Sequence, residues 1–305
     1  LTMPLYQIDA NNLKPIKKTE FKYERDLQKL TENNMEEVFN LKFVASEFQL
    51  DNLRIDTLAF NEETNSFVII EYKKSKNYSV IDQGYSYLSL LLNNKAEFVL
   101  KYNQKFNTNY GKEDIDFTQS KIMFIAPNYT TYQLKSIEFN DLAFELWKVT
   151  KYSNNTVLYD KLNISENKAS IKEVKTTNKK EDVNKEIKVY TEEDHLCNLS
   201  EEIKAIYENL KNKILELDDI DVDVKKYYIA FKGRRNIVDI EFTQSKIRVD
   251  INMKKGALND PLNITKDISS IGHWGNGDYR VEITKEEEID NVIPLIRQSL
   301  KVNKK

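Results

Sequence analysis

Between two apolar runs, Leu53–Phe60 and Phe67–Lys73, the chain sets six polar residues in a row: Asn61-Glu62-Glu63-Thr64-Asn65-Ser66. Runs of strand composition on either side of a short turn-forming spacer leave a β-hairpin as the natural fold. The centre of the spacer falls between Glu63 and Thr64, so a symmetric hairpin sets Asp56 opposite Glu71. Directly opposed residues have β-carbons about 4.5–5.5 Å apart. The two-residue period of a strand then puts Lys73 on the same face as Glu71. Val68-Ile69-Ile70, just before Glu71, reads as a buried central strand, where charges are costly without a purpose.

Like charges facing each other across a ladder destabilise it unless something sits between them. A divalent cation is the natural occupant, Mg²⁺ (or Mn²⁺), held by one or two carboxylates while keeping waters and substrate phosphate oxygens. Lys73 would position an attacking water or neutralise charge in the transition state. The same spacing also fits an ordinary solvated strand face, in a chain that is 31% charged. Two further features agree with a site. Glu24, on the preceding helix, could point at the same end of the sheet or pair with nearby lysines. Gln83 and Tyr87 stand four residues apart on the following helix and share a face. Gln83 could meet a bound water or a base and Tyr87 could pack beneath it; plain helix surface is the alternative.

Around this hairpin the pattern predicts a helix over Thr19 to about Asn40, capped by Thr19 and interrupted at Asn33–Asn34. A strand follows at Leu41–Phe48, and after the hairpin a helix near Val80–Leu92. Phe98–Tyr102, Lys121–Pro127 and Leu142–Tyr152 read as further strands. The order is α-β-β-β-α-β. Residues 163–190 carry seven lysines and five acids with no Gly or Pro, and read as a charged linker, or a helical spacer. Beyond them Ser200 caps a helix to about Leu217. Strands follow at Tyr227–Lys232, Ile237–Phe242, Lys246–Met253 and Tyr279–Thr284, and a closing helix starts at Thr284, with Glu287 at capping-box spacing. The expected organisation is a mixed α/β domain over 1–162, the linker over 163–190, and a smaller α+β domain over 191–305.

Charge and chemistry are bounded by composition. The 46 Lys and Arg nearly balance 49 Asp and Glu, a net charge of −3, so a polyanion site must be a local patch. Lys232-Gly233-Arg234-Arg235 is the densest arginine site and would make either a phosphate-binding hairpin tip or a plain basic turn. A single cysteine, Cys197, excludes disulfide frameworks and cysteine-ligated metal clusters, and His195 and His273 alone exclude histidine-rich metal chemistry. No apolar run approaches the ~20 residues of a membrane span. No signal peptide is legible, and Leu1 reads as a trimmed start. The expectation is a soluble cytoplasmic protein without membrane partners.

Taken in order, Glu24, Arg54-Ile55-Asp56, Glu71-Tyr72-Lys73 and Gln83-x-x-x-Tyr87 resemble the PD-(D/E)XK nuclease superfamily. The nearest likeness is to the bacterial and archaeal nucleases with a Gln-x-x-x-Tyr motif after the lysine. The resemblance spans about residues 20–127 and departs from the pattern at Ile55, where proline often precedes the aspartate. It implies a restriction-endonuclease-like core and hydrolysis of DNA phosphodiesters, RNA not excluded. Asp56 and Glu71 would be metal ligands, Lys73 the catalytic lysine, Glu24 an auxiliary acid and Gln83 a supporting residue. Lys74, Tyr87, Arg234 and Arg235 would contact nucleic acid, and a homodimer would suit double-strand cleavage. Tyr227 to Glu282 is similar to an uncharacterised domain often attached to such nucleases, recognisable by Gly272-His273-Trp274-Gly275-Asn276-Gly277-Asp278. There Trp274 could stack a base and His273 touch a phosphate, or the loop could be structural with Trp274 in the core. The competing function is a non-catalytic binding module, for nucleic acid or protein, on a nuclease-like scaffold.

Overall fold

The strand Ser66–Tyr72 is buried along its whole length, which explains why its sequence is almost continuously apolar. Phe67 and Ile69 enter one cluster with Leu88, Leu91 and Phe98, while Val68, Ile70 and Tyr72 enter another with Leu27 and Met35. A sheet covered on both faces is thus built around it. The computed structural model describes residues 4–73, 80–136, 143–162 and 178–304. They fall into two compact units, Leu1–Val189 and Tyr190–Lys305.

The first unit opens with a separate two-stranded hairpin, β1 (Leu5–Asp9) and β2 (Asn12–Ile16), then β3 (Lys18–Thr19). Helices α1 (Glu24–Asn33) and α2 (Met35–Phe39) meet at Asn34, whose ψ of 23° ends the first. An antiparallel meander follows, β4 (Lys42–Leu50), β5 (Leu53–Asn61) and β6 (Ser66–Tyr72). After α3 (Val80–Asn93) and α4 (Lys95–Phe106), β7 (Lys121–Ala126) lies parallel to β6. Past α5 (Thr131–Ser136), β8 (Phe144–Tyr152) lies parallel to β7, and β9 (Val157–Lys161) returns antiparallel to β8. The mixed sheet runs β3-β8-β7-β6-β5-β4, with β9 also on β8.

Three expectations are corrected here. Phe98–Tyr102, read as a strand, lies inside α4, where Phe98, Val99 and Tyr102 form a buried helical face. Four apolar residues within a five-residue stretch do not separate strand from helix by period alone. Thr19 does not cap a helix; it pairs with Lys151 in the sheet, and α1 starts five residues later, with Tyr23 donating its backbone N–H to Asp26 Oδ2 at 3.2 Å. Residues 163–177 of the expected linker lie outside the described residues, but α6 (Asn178–Glu186) is no linker. Its Val183, with Ile187 just beyond, is buried in the first unit's core, and Asn184 Oδ1 accepts from Tyr85 at 3.0 Å. Two apolar residues four apart make an adequate helix stripe that overall composition hides.

The second unit begins with α7 (Glu192–Leu196) and α8 (Glu201–Leu215), the latter capped by Ser200 Oγ accepting from Ile203 N at 3.3 Å. Its strands are β10 (Asp221–Val224), β11 (Ile229–Lys232), β12 (Asn236–Phe242), β13 (Ile247–Ile251), β14 (Lys266–Asp267) and β15 (Tyr279–Ile283), closed by α9 (Ile289–Asn303). They form a wholly antiparallel sheet, β10-β11-β12-β13-β15-β14. One face buries Val238, Ile240 and Val249 under the apolar stripes of α8 and α9. The opposite face carries fully buried Asp239 and Asp250, and Arg280 grips Asp250 with two 2.6 Å bonds and Glu241 with one of 3.1 Å. Glu288 Oε2, not the expected Glu287, accepts the Thr284 and Lys285 amides before α9. No described helix is long and apolar enough to cross a membrane.

Candidate active site

The β5–β6 ladder pairs Asn61 with Ser66 through to Thr57 with Ile70 and ends there; Asp56 and Glu71, the next residues on each strand, are close enough for their charges to interact. There, bonds that involve side chains hold Asp56 in place of ladder bonds. Tyr72 donates its N–H to Asp56 Oδ2 at 3.0 Å, so the carboxylate itself joins the strands. On the other side the register passes from Ser46–Thr57 to Phe48–Ile55, and Glu47 between them has a left-handed φ of 51°. The Asp56 carbonyl accepts a 2.9 Å bond from buried Gln28 Nε2.

Glu71 is buried, and its Oε1 accepts from Lys73 Nζ at 2.5 Å and from Gln83 Nε2 at 2.8 Å. Among the described residues its Oε2 is buried with no hydrogen-bond partner. Gln83 Nε2 also lies 3.4 Å from the Tyr87 hydroxyl, which donates to the Arg54 carbonyl at 2.8 Å. Burial, reinforced by the charge of Glu71, pushes the Asp56 carboxyl up to about 7; the Tyr72 amide and Lys73 pull it back, and Glu24 adds to the rise. Burial first, then Glu71, likewise holds the Tyr87 hydroxyl above the ordinary tyrosine range.

Glu24 is the first residue of α1, where a carboxylate is favoured by the helix dipole. It lines an open cleft with Lys73, Phe21, Leu27 and Pro127. The sheet and two helices therefore bring together Asp56, Glu71, Lys73, Gln83 and Tyr87, with Glu24 near enough to act on Asp56. Lys74 lies outside the described residues. Arg234 and Arg235 belong to the β11–β12 turn of the second unit, where the Arg235 amide donates to Asn303 O at 3.3 Å. Sequence reasoning missed Gln28, although its spacing from Glu24, one helical turn on the same face, was a usable signal.

Among the described residues no group of three His, Cys, Asp or Glu is arranged to hold a metal. A smaller donor set remains. Two opposed buried carboxylates, one with a partnerless oxygen and the other resisting ionisation, are what a hard cation would relieve. The residues fit Mg²⁺ or Mn²⁺ completed by water and substrate oxygens.

A Haemophilus influenzae protein described as an uncharacterized protein is 42% identical over 301 residues, covering 98% of this chain and 100% of that one. The chain belongs to that protein's family. Residues 192–303 match the family described as "Domain of unknown function (DUF5655)", which occupies the second unit. No solved structure matches.

Proposed function

We propose that the first unit is a metal-dependent nuclease with a restriction-endonuclease-like core of the PD-(D/E)XK type, hydrolysing DNA phosphodiesters, and that the second unit recognises its substrate or a partner. The observation that carries this reading is the buried, partnerless Glu71 Oε2 beside Asp56 and Lys73. A fold keeps such an arrangement at a cost in stability, and function is the usual reason.

Asp56 and Glu71 would hold Mg²⁺ or Mn²⁺, which when bound would polarise the phosphodiester and make a nearby water more acidic. Lys73, bonded to Glu71 Oε1 and lining the cleft, reaches the phosphate's non-bridging oxygens with its ammonium and offsets charge gathering on them. Gln83 keeps Glu71 oriented through their 2.8 Å bond, and Tyr87 ties α3 to the Arg54 carbonyl. Glu24 supplies a carboxylate at the cleft that can accept a proton from the attacking water.

The test is cleavage of supercoiled plasmid, single-stranded DNA, branched DNA and RNA with Mg²⁺ or Mn²⁺, alongside Asp56→Ala and Lys73→Ala. Metal-dependent cutting lost in both variants is the expected result. Wild-type protein that binds one of these substrates and cuts none replaces the nuclease with a binding module. Cutting that survives both substitutions places the chemistry elsewhere.

A further inference from the structure

In the second unit, Trp274 is 61% exposed and Tyr227 40% exposed, yet the two rings lie flat on each other, centroids 3.9 Å apart and 18° from parallel. They come from two different loops, the β10–β11 turn and the segment before β15. The likeness to a core tryptophan is therefore set aside: the ring is displayed.

The display is built in. His273 turns both ring nitrogens onto backbone carbonyls, of Ile271 at 2.8 Å and Gly277 at 2.9 Å, so it is a brace for the loop rather than a phosphate contact. Asn276 gives its backbone and side-chain N–H groups to one oxygen of Asp239, at 2.6 and 2.7 Å, and Asp239 is fully buried. Gly275 presses so close to Asp250 that a β-carbon would stand 2.6 Å from Oδ2. Gly277 has φ +95° and lies where a β-carbon would stand 2.1 Å from Ile251 O. A buried carboxylate and two closely packed glycines thus fix a loop that displays a tryptophan. Two exposed rings stacked on each other, one of them on a braced loop, offer a flat apolar face on which a further ring can stack.

We propose that Trp274, backed by Tyr227, is a stacking platform for an unpaired nucleobase, giving the protein a binding site for single-stranded DNA. A base is a third flat ring for a stack already two rings deep, and such stacking is indifferent to sequence. The Lys226 ammonium, 5.2 Å from the Tyr227 ring centre, puts positive charge at the Tyr227 end of the stack, which favours a polyanion. The inference rests on the nucleic-acid reading above and narrows its substrate to DNA with unpaired bases.

The test uses the full-length protein with a chelator present, so that nothing is cut. Affinity for a labelled oligo-dT strand is read by anisotropy, and tryptophan emission is followed in parallel. Trp274→Ala and Tyr227→Ala are expected to weaken binding by about 5- to 150-fold, the range of single stacked bases. Trp274→Phe should retain most of the affinity, and quenching by oligo-dT should vanish in Trp274→Ala. Equal affinity of wild type and Trp274→Ala overturns the platform, whatever the cleavage assay shows. Stacking through Trp274 in a protein that cuts no substrate overturns the nuclease alone. Wild type that neither binds nor cuts overturns both.

Discussion

Gly84, in the middle of α3, should resist replacement by alanine even though helix propensity favours the change. Alanine gains about 1 kcal/mol over glycine inside a helix. Against that, a β-carbon at Gly84 would stand 2.6 Å from Phe144 Cζ and 2.9 and 3.0 Å from the neighbouring ring atoms. Phe144 has little room to retreat, since it is buried and meets Tyr85 and Phe124 edge-on, with centroids 5.4 and 6.3 Å away. Overpacking of a well-filled core costs typically about 1–3 kcal/mol. Gly84→Ala should thus be destabilising by up to about 2 kcal/mol once the propensity gain is subtracted. In a Phe144→Leu background the obstructing ring is gone, and the same substitution should become neutral or stabilising. Urea unfolding of the four proteins, with m-values compared to check that the transition is unchanged, gives the coupling directly. A Gly84→Ala protein more stable than wild type would refute the argument, because helix and strand would then not be in the close contact described. The residue before it is Gln83, so a forced shift of α3 should also lower cleavage.

Four further outcomes are expected. Glu71→Gln should stabilise the metal-free protein by about 1 kcal/mol, as removing strained site charges commonly does, while abolishing Mg²⁺ binding by calorimetry; a loss of stability would show that the carboxylates are not in conflict. Gln28→Leu, which frees the Asp56 carbonyl, should cut metal-dependent kcat about 10- to 100-fold with KM little changed; an unaltered kcat would deny Gln28 a positioning role. Glu145 is opposed by burial, but Lys121 and Lys161 with hydrogen bonds from Lys121 and Trp147 outweigh it and hold the carboxyl well below the usual range. Its folded value being lowered, its contribution is present at neutral pH and fades as acid protonates it, so the melting-temperature gap between wild type and Glu145→Gln should close below about pH 4; a gap that widens in acid would reverse the sign. Arg280→Met removes the two-pronged grip on fully buried Asp250 and should cost about 3–5 kcal/mol in urea unfolding, with Asp250→Asn/Arg280→Met recovering part of it; equal losses in both would discount the stranded charge.

The hairpin and its register were legible because a cluster of turn formers fixes the centre, and register then decides which side chains meet. That is why Asp56, Glu71 and Lys73 could be placed together from spacing alone. Gln28 was legible only in part: its spacing from Glu24 puts it on the same helix face, but its bond to the Asp56 carbonyl leaves no mark on a residue pattern. Phe98–Tyr102 was ambiguous because so short a stretch, with four apolar residues and Lys101, reads as a helical face or a strand equally well. The exposure of Trp274 was invisible for another reason: it is imposed by Asp239, Asp250 and Ile251, distant in sequence and themselves unremarkable as isolated letters.

The β5–β6 hairpin also bears on the order in which the protein can assemble. Its pairs join residues close in the chain, Asn61 with Ser66 outward, whereas β7 reaches β6 only by pairing Lys121 with Val68. Local hairpins close in microseconds, and contacts that span long loops come later. The two acids are therefore brought face to face by the quickest step, while α3 receives its last support from Asn184 near the unit's far end. A nascent chain meets the repulsion between Asp56 and Glu71 with Lys73 already beside Glu71 but before Gln83 on α3 is docked against it. On the metal-dependent reading proposed above, dissolved divalent ions would speed the closing of this hairpin as well as load the folded site.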